Sequence, residues 1–157
     1  MRRSDREVTN RQEILDIMAQ CAVCRIALPA GGAPYIVPMN YGLVQRQGQL
    51  MLYFHCANEG RKLALIGQGA AAAFEMDCRH RLLGASDDPC VYSYAYASVM
   101  GTGRIEPIRD RAEKEAGLAA IMRQQTGRAF SFAGRDLHGV TVLRLAVEEL
   151  TAKRHRG

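Results

Sequence analysis

The stretch Val91-Tyr92-Ser93-Tyr94-Ala95-Tyr96-Ala97-Ser98-Val99-Met100-Gly101-Thr102-Gly103-Arg104-Ile105-Glu106 reads as one long β-strand, with Tyr92, Tyr94 and Tyr96 alternating onto the face that carries Ser98. A strand of this length bends, as strands do when they wrap a barrel, and Gly101 and Gly103 permit the bend. The alternating tyrosines suit an aromatic wall beside a ligand or partner, and they equally suit cross-strand packing. The two glycines are not a dinucleotide-binding fingerprint, because they lie within a strand and no third glycine opens a helix.

The flanking segments fit around this strand. Residues 71–78 predict a strand before it, across a polar loop holding Asp87, Asp88 and Pro89. Residues 23–28 and 35–39 predict a hairpin around Gly31-Gly32, and Leu50-Met51-Leu52-Tyr53-Phe54-His55 predicts a strand pairing back on 35–39 through the polar turn at 45–49. Pro38 cannot donate to a ladder, so it marks an edge, a bulge or a point where the backbone faces something else. Thr9 and Gln12 form a capping-box pattern ahead of Ile14, Leu15, Ile17 and Met18, predicting a helix over 10–20. Asn58 reads as the N-cap of a short helix with Leu63, Leu65 and Ile66, ended by Gly67 or Gly69. Asp110 caps a third helix running to about residue 125 and stopped by Gly127, and a final strand covers 140–147. The sum is a mainly β fold with flanking helices: a six-stranded antiparallel barrel rather than a parallel doubly wound sheet.

Size and composition bound the function. The chain has 157 residues, 48% hydrophobic and 24% charged, with no repeat or low-complexity linker, and this describes a single domain over 1–157. No stretch approaches the roughly 20 apolar residues of a membrane helix. Met1-Arg2-Arg3-Ser4-Asp5-Arg6-Glu7 carries the charge of a secretory leader, but polar sequence follows where an apolar region would stand, so a cytoplasmic location is expected. Cys21, Cys24, Cys56, Cys78 and Cys90 are odd in number and unevenly spaced, which suits a reducing compartment. Cys21 and Cys24 have metal-site or redox spacing, yet no second Cys or His pair follows and no βαβ unit surrounds them, so no metal is expected. The net charge of +5 favours anionic partners. Part of the excess falls at Arg2, Arg3, Arg6, Lys153, Arg154 and Arg156, on polar termini rather than on a folded face with aromatics, so specific nucleic-acid binding is not expected.

The chemistry-bearing segment is Tyr53-Phe54-His55-Cys56-Ala57-Asn58-Glu59-Gly60-Arg61-Lys62, a strand delivering a loop and then a helix start. Cations in a first helical turn are disfavoured by the helix dipole by roughly 0.3 to 1 kcal/mol each, so adjacent Arg61 and Lys62 ask for a reason. A bound phosphate is one, with a guanidinium gripping two oxygens and Gly60 allowing close approach. An exposed helix start with Glu59 offsetting the charge is the other. His55 shares a strand face with Tyr53 and Met51, opposite Leu50, Leu52 and Phe54.

Pro34-Tyr35-Ile36-Val37-Pro38-Met39-Asn40-Tyr41-Gly42, then Leu52-Tyr53-Phe54-His55 and Gly60-Arg61-Lys62, resemble the nitroimidazole-resistance (Nim) branch of the pyridoxamine 5′-phosphate oxidase-like, FMN-binding split barrels. Phe74-Glu75-Met76-Asp77, Tyr96-Ala97-Ser98-Val99-Met100-Gly101-Thr102-Gly103-Arg104 and Ala120-Ile121-Met122-Arg123-Gln124-Gln125-Thr126-Gly127 extend the likeness across the chain. The resemblance implies a split barrel that holds FMN at a homodimer interface. It places Arg61 and Lys62 on the FMN phosphate and the backbone of Val37, Pro38, Met39 and Asn40 along the isoalloxazine ring. Phe54 and His55 would close the same site, with Ser98 reaching the flavin from the second subunit. It makes His55 the catalytic candidate, able to hydrogen-bond a substrate or supply a proton near neutral pH; a strand-end histidine with solvent or backbone partners is the alternative.

The implied activity is flavin-dependent reduction of nitro-heteroaromatic or similar electron-poor small molecules. The reductant would be a nicotinamide, NAD(P)H, or another cellular donor. Two other classes stand beside it: a non-catalytic flavin or haem binder, and a basic nucleic-acid-binding module. The chain departs from the pyridoxamine phosphate oxidases themselves. It has no tryptophan, and Arg144-Leu145-Ala146-Val147 stands where they end in Arg-Leu-His. Cys56 takes a position where the Nim branch often has a small hydroxyl residue, and it reads as a filler.

Overall fold

A computed structural model of the chain describes residues 3–156, so Arg2, one of the terminal cations above, lies outside the described residues. In chain order the elements are α1 (Arg11–Gln20), β1 (Cys24–Leu28), β2 (Tyr35–Met39), β3 (Gly42–Arg46), β4 (Gln49–Cys56), α2 (Arg61–Ile66), β5 (Ala70–Leu83), β6 (Ser93–Pro107), α3 (Arg111–Thr126) and β7 (Thr141–His155). The seven strands form one antiparallel sheet in the order β2-β1-β5-β6-β7-β4-β3. Only Asn40 and Tyr41 link its two outermost strands, β2 ending at Met39 and β3 starting at Gly42. Three backbone steps reach about 10 Å at most, so the ends of the order must meet and the sheet rolls on itself.

The expected count of six strands is therefore corrected to seven. The additional strand, β3, has exposed Gln45 and Arg46 at its far end, and its turn is only Gln47-Gly48, both at positive φ (50° and 82°). That tight turn matches strand twist, so what reads as a five-residue polar turn is mostly strand. As a result β4 pairs with β3 and β7 rather than with β2. β2 pairs with β1 alone, which puts Pro38 on an edge strand where its missing N–H breaks no ladder.

Two further strands outrun their expected ends. β5 continues past Cys78 to Leu83 through a bulge between Cys78 and Arg81, where Arg79 has φ 60°. β7 runs to His155 rather than to 147, so Lys153 and Arg154 belong to a paired strand and not to a polar tail. Gly101 and Gly103 serve close approach to β7. A Cβ would meet the Glu149 carbonyl oxygen at 2.4 Å and the Ala146 carbonyl oxygen at 2.1 Å, respectively, and the β6–β7 register shifts between Thr102 and Gly103.

Alternation along β4 divides the apolar mass in two. Leu50, Leu52 and Phe54 face the barrel interior with Ile26, Leu28, Met76, Val99, Ile105, Leu143 and Leu145. Tyr53 points outward to a second cluster with Val142, beneath Leu118 and Ile121 of α3. α1 closes the interior with Ile17 and Met18, and the phenol of buried Tyr41 donates to the Met18 carbonyl oxygen. The helix caps follow the sequence closely. Asp110 accepts from the Glu113 N–H at 2.8 Å and Gly127 is left-handed, but Asn10, accepting from the Glu13 N–H, caps α1 in place of Thr9. Among the described residues no helix is long and apolar enough to cross a membrane.

Burial pushes the Cys24 thiol up to about 12 from an ordinary value of 9.0, and it raises Cys21 and Tyr41 in the same direction. A folded-state pKa above the unfolded value means the unfolded chain gives up these protons first. Stability is therefore fully present below about pH 9 and drains away as pH climbs toward about 12. Urea midpoints measured across that range should fall steadily, and a flat profile would show that these groups are not buried as described.

Candidate functional site

The loop from β4 to α2 sets the site. The α2 N-cap is Gly60, at φ 123°, a conformation that requires glycine, and it offers no side-chain cap. Asn58, expected as the cap, instead bonds Thr141 and the His138 carbonyl oxygen, tying the loop to β7. Since α2 has only six residues, a helix dipole adds little, and any case for an anion rests on the side chains.

Those side chains gather against β2. The Arg61 guanidinium lies 4.8 Å over the Tyr35 ring, and Lys62 Nζ is 3.6 Å from Met39 Sδ. Tyr35, a residue the sequence reading did not assign to the site, thus holds Arg61 by a cation–π contact. Among the described residues neither Arg61 nor Lys62 pairs with a carboxylate; the recorded ion pairs involve other cations, and Glu59 joins none of them. Along β2, Val37 is half-buried, Pro38 exposed and Met39 buried, with exposed Asn40 just beyond. The Asn40 amide donates to the Ala22 carbonyl oxygen and to Gln125 Oε1, both at 3.1 Å, so its side chain anchors the β2–β3 link to α3.

Phe54 and His55 point to opposite faces. Phe54 is fully buried in the barrel beside Tyr41, at 6.4 Å between ring centroids, while His55 is exposed opposite Val142 in the β4–β7 ladder. The two side chains do not close one pocket. Cys56 is half-buried; burial pushes its thiol up, and the Lys62 ammonium pulls it back. Ser98 is half-buried on β6, opposite Asp77 and Lys153. α2 adjoins the Ala70 end of β5, whose partner on β6 is Ile105. Among the described residues no side-chain hydrogen bond joins Ser98 to Arg61 or Lys62, whose contacts are with Tyr35 and Met39. Cys21 and Cys24 are both buried, and among the described residues no three His, Cys, Asp or Glu side chains converge as metal ligands would.

The cation pair fits a phosphate by the chemistry of its donors: a planar fork, an ammonium, and a glycine with open space where a Cβ would stand. A family model described as pyridoxamine 5′-phosphate oxidase matches residues 10–154. The chain belongs to the pyridoxamine 5′-phosphate oxidase-like family. Among solved structures, this pyridoxamine 5′-phosphate oxidase-like protein is similar to a candidate 5-nitroimidazole antibiotic resistance protein of Bacteroides thetaiotaomicron VPI-5482. That pair shares 30% identity, covers 94% of this chain and 86% of the other, and superposes with a TM-score of 0.78. An FAD- and haem-binding protein of Mycobacterium smegmatis (22% identity, 97% and 74% covered, TM-score 0.76) shares the fold. So does an FAD-binding protein of Mesorhizobium loti (16% identity, 96% and 98% covered, TM-score 0.63). No curated protein matches.

Membership does not carry the parent oxidase's substrate site. In this family member Arg144 pairs with Glu106 and Glu113, and Leu145 is fully buried, so the Arg144-Leu145-Ala146 segment is structural. Glu113 also accepts from the Tyr53 phenol at 3.0 Å, locking α3 to β4.

Proposed function

We propose that this family member is a homodimeric, FMN-dependent oxidoreductase able to reduce nitro-heteroaromatic and similar electron-poor small molecules. The observation that carries the reading is the carboxylate-free pair Arg61 and Lys62, held against β2 in a chain of this family. FMN, when bound, supplies the electron transfer itself. Arg61 and Lys62 would hold the phosphate, and the β2 backbone from Val37 to Asn40 would set the ring orientation. A barrel filled by its own side chains has no interior room for a flavin, so a groove between two chains is the natural place. A second copy is supported by an apolar groove of about 540 Å³ across β1, β2, β5, β6 and β7, where Ile36 (61% exposed) and Met100 (44%) stand open to solvent. It would also bring Ser98 to the partner's flavin.

His55 has an exposed side chain at the strand end leading into the α2 loop, free to hydrogen-bond a substrate nitro group or deliver a proton. His55→Ala should retain flavin while turnover of a nitroimidazole falls by about a hundredfold, the low end of general-acid contributions. Unchanged turnover would make His55 scaffold. The rival reading, a flavin or haem carrier, is separated by stopped-flow reoxidation. Reduced protein-bound FMN should react with a nitroimidazole faster than free FMN does, and equal rates would support a carrier.

A further inference from the structure

The ends of β5 and β7 meet the start of β6 far from α2, and arginines collect there. Arg79, Arg81, Arg154 and Arg156 line one cavity of about 330 Å³ together with Tyr96 and His155. Pairing Tyr96 with His155, and Ala97 with Arg154, brings the C-terminal cations onto a folded face. The bulge in β5, with Arg79 at φ 60°, turns that strand's arginines to the same place. A left-handed non-glycine residue inside a strand is a local cost that the bulge imposes.

The charge there is poorly neutralised. Among the described residues Glu13 is the one carboxylate that pairs with these arginines, and it serves both Arg154 and Arg156. Arg79 donates to the neutral Gln20 Oε1 at 2.9 Å, and among the described residues Arg81 makes no side-chain hydrogen bond or ion pair. Four guanidiniums against one carboxylate repel one another unless an anion joins them, and the guanidinium fork matches phosphate oxygens two at a time. Tyr96 and His155 are register partners on the sheet face opposite Arg81 and Arg154, so the guanidiniums, gathered on the α1 side against Gln20 and Glu13, are what the cavity offers a ligand. The cavity is at the small end of ligand sites, so it admits one compact molecule.

We propose that this cavity binds a compact phosphate-bearing anion, its oxygens on Arg79, Arg81 and the β7 arginines. The test is calorimetric titration of the protein as purified, at about 0.15 M salt, with inorganic pyrophosphate, adenosine 5′-monophosphate and adenosine. Pyrophosphate and the monophosphate should bind saturably, with adenosine at least tenfold weaker than the monophosphate. The exposed pair R79Q/R81Q should weaken both anions at least tenfold while melting temperature and flavin absorbance stay unchanged. Three results would overturn the proposal: no saturable binding to the unmodified protein, equal affinity in the variant, or flavin lost together with the anion. A single-stranded oligonucleotide whose affinity climbs with its length would also overturn it, assigning the arginines to a polyanion track.

Discussion

Replacing Arg61 and Lys62 together with alanine should yield a folded protein stripped of flavin. A hydrogen bond to a charged group contributes about 1.5 to 3 kcal/mol, so losing two weakens phosphate binding roughly a hundred- to ten-thousand-fold. The fold tolerates the change because Arg61 is exposed and Lys62 half-buried, and neither lies in a carboxylate pair. The structural cost is the contact with Tyr35, about 0.5 to 1 kcal/mol. Flavin content by absorbance, beside circular dichroism, separates the outcomes. Flavin retained at the unmodified protein's level would remove the phosphate from these residues.

Gly42→Ala should produce a large loss of stability from a single methyl group. A Cβ on Gly42 would stand 2.3 Å from the Ile121 nitrogen and 2.4 Å from the Ala120 carbonyl carbon, both backbone atoms of α3 that cannot rotate away. α3 must retreat, opening the cluster of Tyr53, Leu118, Ile121 and Val142. Overpacking of this kind costs about 3 kcal/mol, or a fall of roughly 6 to 12 °C in Tm for a chain of this size. Gly139→Ala, with nothing within 4 Å of the new atom, is the control and should stay within about 0.5 kcal/mol. An unchanged Tm for Gly42→Ala would mean that α3 does not pack on β3 as described.

The residues that declared themselves in sequence did so through local chemistry. Asp110 and Gly127 bound α3 because capping depends on one side chain or one backbone angle. The two faces of β4 were readable because alternation is local, and the core and α3 sides follow it. β3 was hidden because an edge strand with exposed Gln45 and Arg46 carries no apolar pattern, and its turn is only two residues. The true length of β7 was hidden for a related reason. Its charged end is stabilised by pairing with β6 over a long separation in sequence, which no local pattern reports. At the site, Arg61 and Lys62 stood out as neighbouring cations, whereas Tyr35 beneath Arg61 could be found only from the fold, 26 residues away in sequence. Phe54 and His55 were grouped by the family resemblance, although the strand's two-residue period already sends them to opposite faces.

The most direct measurement is the visible absorbance of the purified protein, followed by titration of the apoprotein with FMN and, separately, FAD. The account predicts a yellow dimer showing oxidised-flavin bands, with the apoprotein taking up one FMN per chain. A colourless protein that binds neither flavin on titration would contradict it.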